Sequence, residues 1–234
     1  MEKWIKVESE HYLFHYHKDS IAEKHINEII KLQEYCFRYI VQVLKIECDI
    51  QINYYLCNSS REVGFWAGDN IECNAFAEES NKIFAVFNET VKCIGYHEDA
   101  HILSYLIGYP SQVFIREGLA MYFDKNHKGI SNLNWTNYYI NSGEYIGLEK
   151  LILNENFYEI SWNKTYPIAG AFTEYIIMRY GIDKYIEFYR SLDDSNLNYI
   201  CNNLFIKRFD ELEEDFIEYI KSLKSNMKIC ESIN

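Results

Sequence analysis

The sequence predicts an α+β fold with an N-terminal mixed-sheet lobe and a C-terminal helical lobe. Three observations carry this. Strand-like alternation is concentrated before Thr90, helical periodicity dominates after it, and 48% of the 234 residues are apolar, enough to bury a sizeable core. Only two prolines and ten glycines occur. No linker-like stretch or internal repeat separates modules, so residues 1–109 and 110–234 read as two lobes of one unit.

Taken in order, Trp4–Val7 and Tyr12–His17 alternate as strands, the second placing Tyr12, Phe14 and Tyr16 opposite Leu13, His15 and His17. Ser20 offers an N-cap for a long helix to Leu44, because Ile26, Ile29, Ile30, Phe37, Ile40 and Leu44 recur at helical spacing. Asp49–Leu56 alternates again and is rich in strand formers. Ser59–Trp66 reads as a short serine-capped helix closed by Gly68, followed by strands at Ile71–Ala77 and Lys82–Phe87. A helix is expected over Val91–Ile107, ended by Gly108 and Pro110. Further helices are expected at Gln112–Asp124, Tyr166–Tyr180, Ile182–Leu192, Leu197–Phe205 and Asp210–Lys224. A cleft between the lobes is the expected place for a site.

Thirty-five acidic against 23 basic residues give a net charge of -12, with no Lys/Arg cluster, which argues against nucleic acid as a partner. No apolar run approaches the length of a membrane span, and the charged N-terminal stretch has no signal-peptide core. The seven cysteines are odd in number, include no CxxC and mostly sit in apolar patterns. Reduced, buried thiols and a cytoplasmic location are the expectation.

The chemistry concentrates at His97-Glu98-Asp99-Ala100-His101. On a helix, residues four apart lie about 40° apart around the axis, so His97 and His101 share a side and can hold one ion. Glu98 sits about 100° from His97, beside an ion, where a carboxylate can take a proton from water. Asp99 falls on the far side and is not expected to be a ligand. The alternative is an exposed helix with two solvated histidines. A catalytic zinc needs a third protein ligand. The metzincin continuation fails, because it requires glycine and histidine where Ser104 and Ile107 stand. Glu117 follows instead, inside the apolar segment Pro110–Asp124, where coordination to a cation would remove the cost of burying it; the alternative is that Glu117 faces solvent beside Arg116.

HEDAH followed by "FIREGLAMYF" resembles the gluzincin metallopeptidases, the thermolysin-like and aminopeptidase-like zinc enzymes, and is most similar to their compact peptidase MA-like domains. The resemblance implies a zincin (thermolysin-like) catalytic fold and one Zn2+ per chain on His97, His101 and Glu117. It also implies a peptide or protein substrate, hydrolysed by a metal-activated water with Glu98 as general base. Tyr166 opens "YPIAGAFTEYIIMRYG", the place where the aminopeptidase branch keeps a tyrosine that stabilises the oxyanion; the alternative is that Tyr166, one of 21 tyrosines, merely packs. "NAFA", Asn74–Ala77, matches weakly an edge strand that pairs with substrate in thermolysin-like enzymes. Two departures stand out: only 15 residues separate His101 from Glu117, and Met121 replaces the aspartate of the thermolysin-type ExxxD. Asp124 is the nearest substitute. A zinc-binding domain without turnover, serving as a binding or regulatory module, is the alternative reading.

Three features stay outside that site. His11, His15 and His17 are expected on one solvated strand face, with no partner ligand in view. Leu212, Phe216 and Ile220, spaced by four in an acidic stretch, predict a surface helix packed on the second lobe. Cys93, one turn before His97, is expected to pack in the core.

Overall fold

The computed structural model describes residues 4–68 and 70–223; Cys230 and the predicted helix end at Lys224 lie outside them. The chain divides into two compact units, Met1–Leu106 and Ile107–Asn234.

The first unit comprises β1 (Ile5–Glu8), β2 (Tyr12–Tyr16), α1 (Ile21–Leu44), β3 (Ile52–Cys57), α2 (Ser60–Ala67), β4 (Ala75–Glu78), β5 (Lys82–Val86) and α3 (His97–Ser104). Its five-stranded sheet is ordered β1-β2-β3-β5-β4. The central pairs β2/β3 and β3/β5 are parallel, and the outer pairs β1/β2 and β4/β5 are antiparallel. The expected caps form: Ser20 and Ser59 accept from the backbone N–H of Glu23 and Glu62, and Gly68 closes α2 at φ 88°.

Both faces of this sheet are covered. On one, Tyr12, Phe14, Tyr54 and Ile83 are buried, and Tyr12 packs against Phe37 of α1. On the other, the register aligns His15, Tyr55, Phe84 and Phe76 across four strands. Their rings stack in a row, with centroids 4.0, 4.5 and 5.0 Å apart, and Trp66 of α2 lies on Phe84.

That row corrects the expectation for the three histidines. His15 is only 3% exposed, and burial lowers its pKa. His17, also buried, stacks on Trp4 and lies 2.5 Å from Glu62 Oε1. His11 precedes β2 and pairs with α1 instead, so the three do not share a face. Alternation alone says which residues share a side, and says nothing of what covers it.

The second unit contains α4 (Val113–Asp124), β6 (Asn126–His127), β7 (Ile130–Ser131), α5 (Asn132–Ser142), α6 (Leu148–Leu151), α7 (Asn154–Glu159), α8 (Trp162–Tyr180), α9 (Ile182–Ser191), α10 (Leu197–Phe205) and α11 (Phe209–Ser222). The expected packing of α11 is seen, with Leu212, Phe216 and Ile220 buried. Sequence patterns miss the β6–β7 hairpin and α5. Lys128 and Gly129 turn the hairpin at φ 52° and 78°, a primed turn in which lysine is an unusual first residue. Helix α5 is rich in asparagine, a weak helix former, and is held by buried side-chain amides: Asn132 donates to the Met121 carbonyl and Asn137 to that of Ile220.

Pro167 lies inside α8, where it lacks the N–H that would bond the Asn163 carbonyl. The Tyr139 hydroxyl donates to that carbonyl at 2.9 Å, so the helix runs through the proline.

Candidate metal centre

Helix α3 is shorter than the expected Val91–Ile107, and the reason is local. Lys92 still bridges to Phe87, and the Cys93 N–H donates to the Val86 carbonyl, so this segment extends the sheet. Gly95 then sits at φ 128°, which a helix does not allow. The helix therefore opens at His97. Cys93 lies outside it, packed by burial that pushes its thiol up to about 11.

Within α3 the predicted pair forms. The His97 and His101 rings lie one turn apart, centroids 5.0 Å from each other and nearly perpendicular. Glu98 follows His97 in the first turn, where its charge also suits the helix N-terminus. Ser104 Oγ donates to the His101 carbonyl at 3.0 Å, closing the last turn.

Asp99 points away from that pair, as its spacing requires, and is wholly buried. Its Oδ2 lies 2.5 Å from Tyr12 Oη of β2 and accepts from Gln33 Nε2 of α1 at 3.0 Å. Burial pushes the Asp99 carboxyl well above the usual range, and these hydrogen bonds oppose the shift only in part. The Tyr12 hydroxyl also lies 3.1 Å from the Gln33 carbonyl.

In the second unit Glu117 is partly buried on α4, between Arg116 and Gly118. Arg116 is turned to backbone, donating to the Pro110 and Ser111 carbonyls and lying 4.7 Å over the Tyr109 ring. Gly118 lets α8 approach, since a Cβ there would meet Thr173 Oγ1 at 2.6 Å and the Ala169 carbonyl at 2.9 Å. Tyr166 does not open its helix. It lies in the second turn of α8, its ring 5.8 Å from Phe157. Tyr158, exposed on α7, is a tyrosine that sequence reasoning passed over. Burial of part of its ring and then the Glu117 charge raise its hydroxyl pKa. Asp124 is the last residue of α4.

A second His/Glu group was not anticipated. Ligand atoms of Glu10, His11 and Glu34 lie within 4.8 Å of one another. The Arg38 guanidinium already sits among them, 2.5 Å from Glu10 and 3.3 Å from Glu34, while Glu34 also accepts from Ser9 and from His11. This group is an ion-pair network with its cation in place. Nothing in the sequence brings Glu34 to His11 across 23 residues.

The Asn74–Phe76 stretch enters β4, the edge strand. Asn74 accepts from Ser60 Oγ at 2.7 Å, and Phe76 joins the aromatic row. Among the described residues no helix is long and apolar enough to cross a membrane, and no disulfide joins the six cysteines. The chain matches no protein-family model and no curated protein.

Proposed function

We propose that this chain is a zinc-dependent peptidase of the gluzincin type, with a zincin fold and a cytoplasmic setting, in which His97, His101 and Glu117 hold one ion. The observation that carries the reading is the α3 pair: two imidazoles one turn apart with Glu98 beside the first. Two imidazole nitrogens and a carboxylate oxygen are the donor set of catalytic zinc sites. The group at Glu10, His11 and Glu34 shows the contrast, since an arginine supplies its cation.

Zinc in such a set supplies a Lewis acid and lowers the pKa of water toward neutrality. Glu98 takes the proton from the water that attacks the peptide carbonyl carbon. It then delivers that proton to the departing amine nitrogen as the C–N bond breaks, which returns the carboxylate to its starting state. The Tyr166 hydroxyl donates a hydrogen bond to the developing oxyanion. Substrate backbone pairs along β4, the edge strand of the sheet among the described residues.

One observation favours a zinc-binding module without turnover. Position 121 holds a methionine packed against Gly170, so no carboxylate supports the site from there. Glu98 separates the two readings, because only hydrolysis uses it. With a broad peptide library read by mass spectrometry, the unmutated chain is expected to cut peptides. Glu98→Gln is expected to keep zinc and lose cleavage by at least about a hundredfold. A zinc-loaded chain that cuts nothing supports the module.

A further inference from the structure

The N-terminal end of α3 has no side-chain cap: Tyr96 occupies the N-cap position and contributes none. A buried glutamine from another helix stands there instead. Gln33, 0% exposed in the middle of α1, accepts the Gly95 N–H on Oε1 at 2.7 Å and donates from Nε2 to the Gly95 carbonyl at 3.0 Å. The second Nε2 hydrogen goes to Asp99 Oδ2. Every donor and acceptor of this pair of contacts has one orientation of the amide that satisfies it, and turning the amide over would break all three bonds. Tyr12 holds Asp99 from the sheet, and the Tyr54 hydroxyl donates to the Cys93 carbonyl at 3.1 Å. The chain on both sides of His97 is thereby tied to α1 and to two central strands.

We infer that Gln33, assisted by Tyr12, is a positioning residue for the metal pair: its amide clamps Gly95 and Asp99 and so fixes the rotation and start of α3, and with them the direction of the His97 and His101 rings. This rests on the metal reading above. The location favours it over plain core packing. Gly95 at φ 128° has conformational freedom that a Cβ would remove, two residues before the first ligand, and an apolar side chain at position 33 would fill the same volume without holding that peptide. A buried amide placed in a helix interior also has to be hydrogen-bonded to be tolerated, and here its partners are all on the segment that carries the ligands.

The test uses the full chain with Co2+ as a visible probe, comparing the unmutated protein with Gln33→Met, Gln33→Glu and Tyr12→Phe. Hydrogen exchange of residues 95–104 is measured on the same proteins without metal. Gln33→Met is expected to weaken Co2+ binding by about tenfold, to alter its visible absorption and to speed exchange over 95–104. Gln33→Glu is expected to do more, since a carboxylate oxygen would face the Gly95 carbonyl and Asp99. An unchanged Co2+ affinity, spectrum and exchange rate, with only a lower melting temperature, would overturn the inference. If the Gln33 variants do not fold, Tyr12→Phe, which keeps the ring, carries the same comparison. If the unmutated chain binds no Co2+, the metal reading fails separately, and the exchange rates still decide whether Gln33 fixes α3.

Discussion

Glu34 has an 8% exposed side chain, and it is surrounded by donors: Ser9 Oγ at 2.7 Å, the His11 N–H at 2.9 Å, the His11 ring at 2.7 Å and Arg38 at 3.3 Å. Burial raises its pKa, and these hydrogen bonds outweigh that, leaving it below the ordinary value of 4.5. Asp99, with fewer donors and deeper burial, is pushed the other way. For a carboxyl whose folded pKa is lowered, the stabilisation is present above the unfolded pKa and lost as pH falls through the folded one. Glu34→Gln should therefore cost about 1–2 kcal/mol near neutral pH, and the difference from the unmutated chain should shrink toward zero in denaturant melts taken progressively below pH 4.5. A difference that stays constant with pH would show that the charge contributes nothing. His97, Glu98 and His101 are legible in the sequence as a candidate group because their relation is local, one helical turn. The same spacing places Asp99 on the far side of the helix but does not reveal its partners, since Gln33 and Tyr12 lie 66 and 87 residues away.

Elements were legible where their own ends carry the signal. Ser20, Ser59 and Gly68 mark caps, and α1, α2, α4 and α10 fall within a residue or so of where periodicity puts them. The helix expected over Val91–Ile107 runs through Gly95, whose φ of 128° breaks it, so α3 is the shorter element. The helix pair α4–α8 depends on two glycines that no periodicity singles out. Gly118 admits Ala169 and Thr173, and a Cβ on Gly170 would meet Met121 Cβ at 2.7 Å. Gly118→Ala is expected to destabilise the chain by about 1–3 kcal/mol in chemical denaturation, with Gly170→Ala acting in the same direction. Substitution at Gly143, where a Cβ meets nothing within 4 Å, tests φ strain alone at 77° and serves as the comparison. Equal stability of Gly118→Ala and the unmutated chain would mean that the two helices can separate without penalty.

At the scale of the whole chain, the α+β class and the sheet-then-helices order were readable from where alternation gives way to helical periodicity, and the mixed sheet was expected. The aromatic row and the asparagine-held α5 were not, because both are made by contacts between distant segments. The net charge of -12 disfavours a phosphate backbone, and if the proposed peptidase reading holds, cleavage of basic peptides is expected to weaken with added salt. The central claim is that two histidines of α3 and the glutamate of α4 hold one zinc. Its most direct test is a zinc titration of the metal-free chain against a competing chelator. One tight site per chain is expected, lost in the His97→Ala/His101→Ala double variant, weakened at least about tenfold in Glu117→Gln, and unchanged in His11→Ala. A chain that binds no zinc, or whose site survives loss of both His97 and His101, would contradict it.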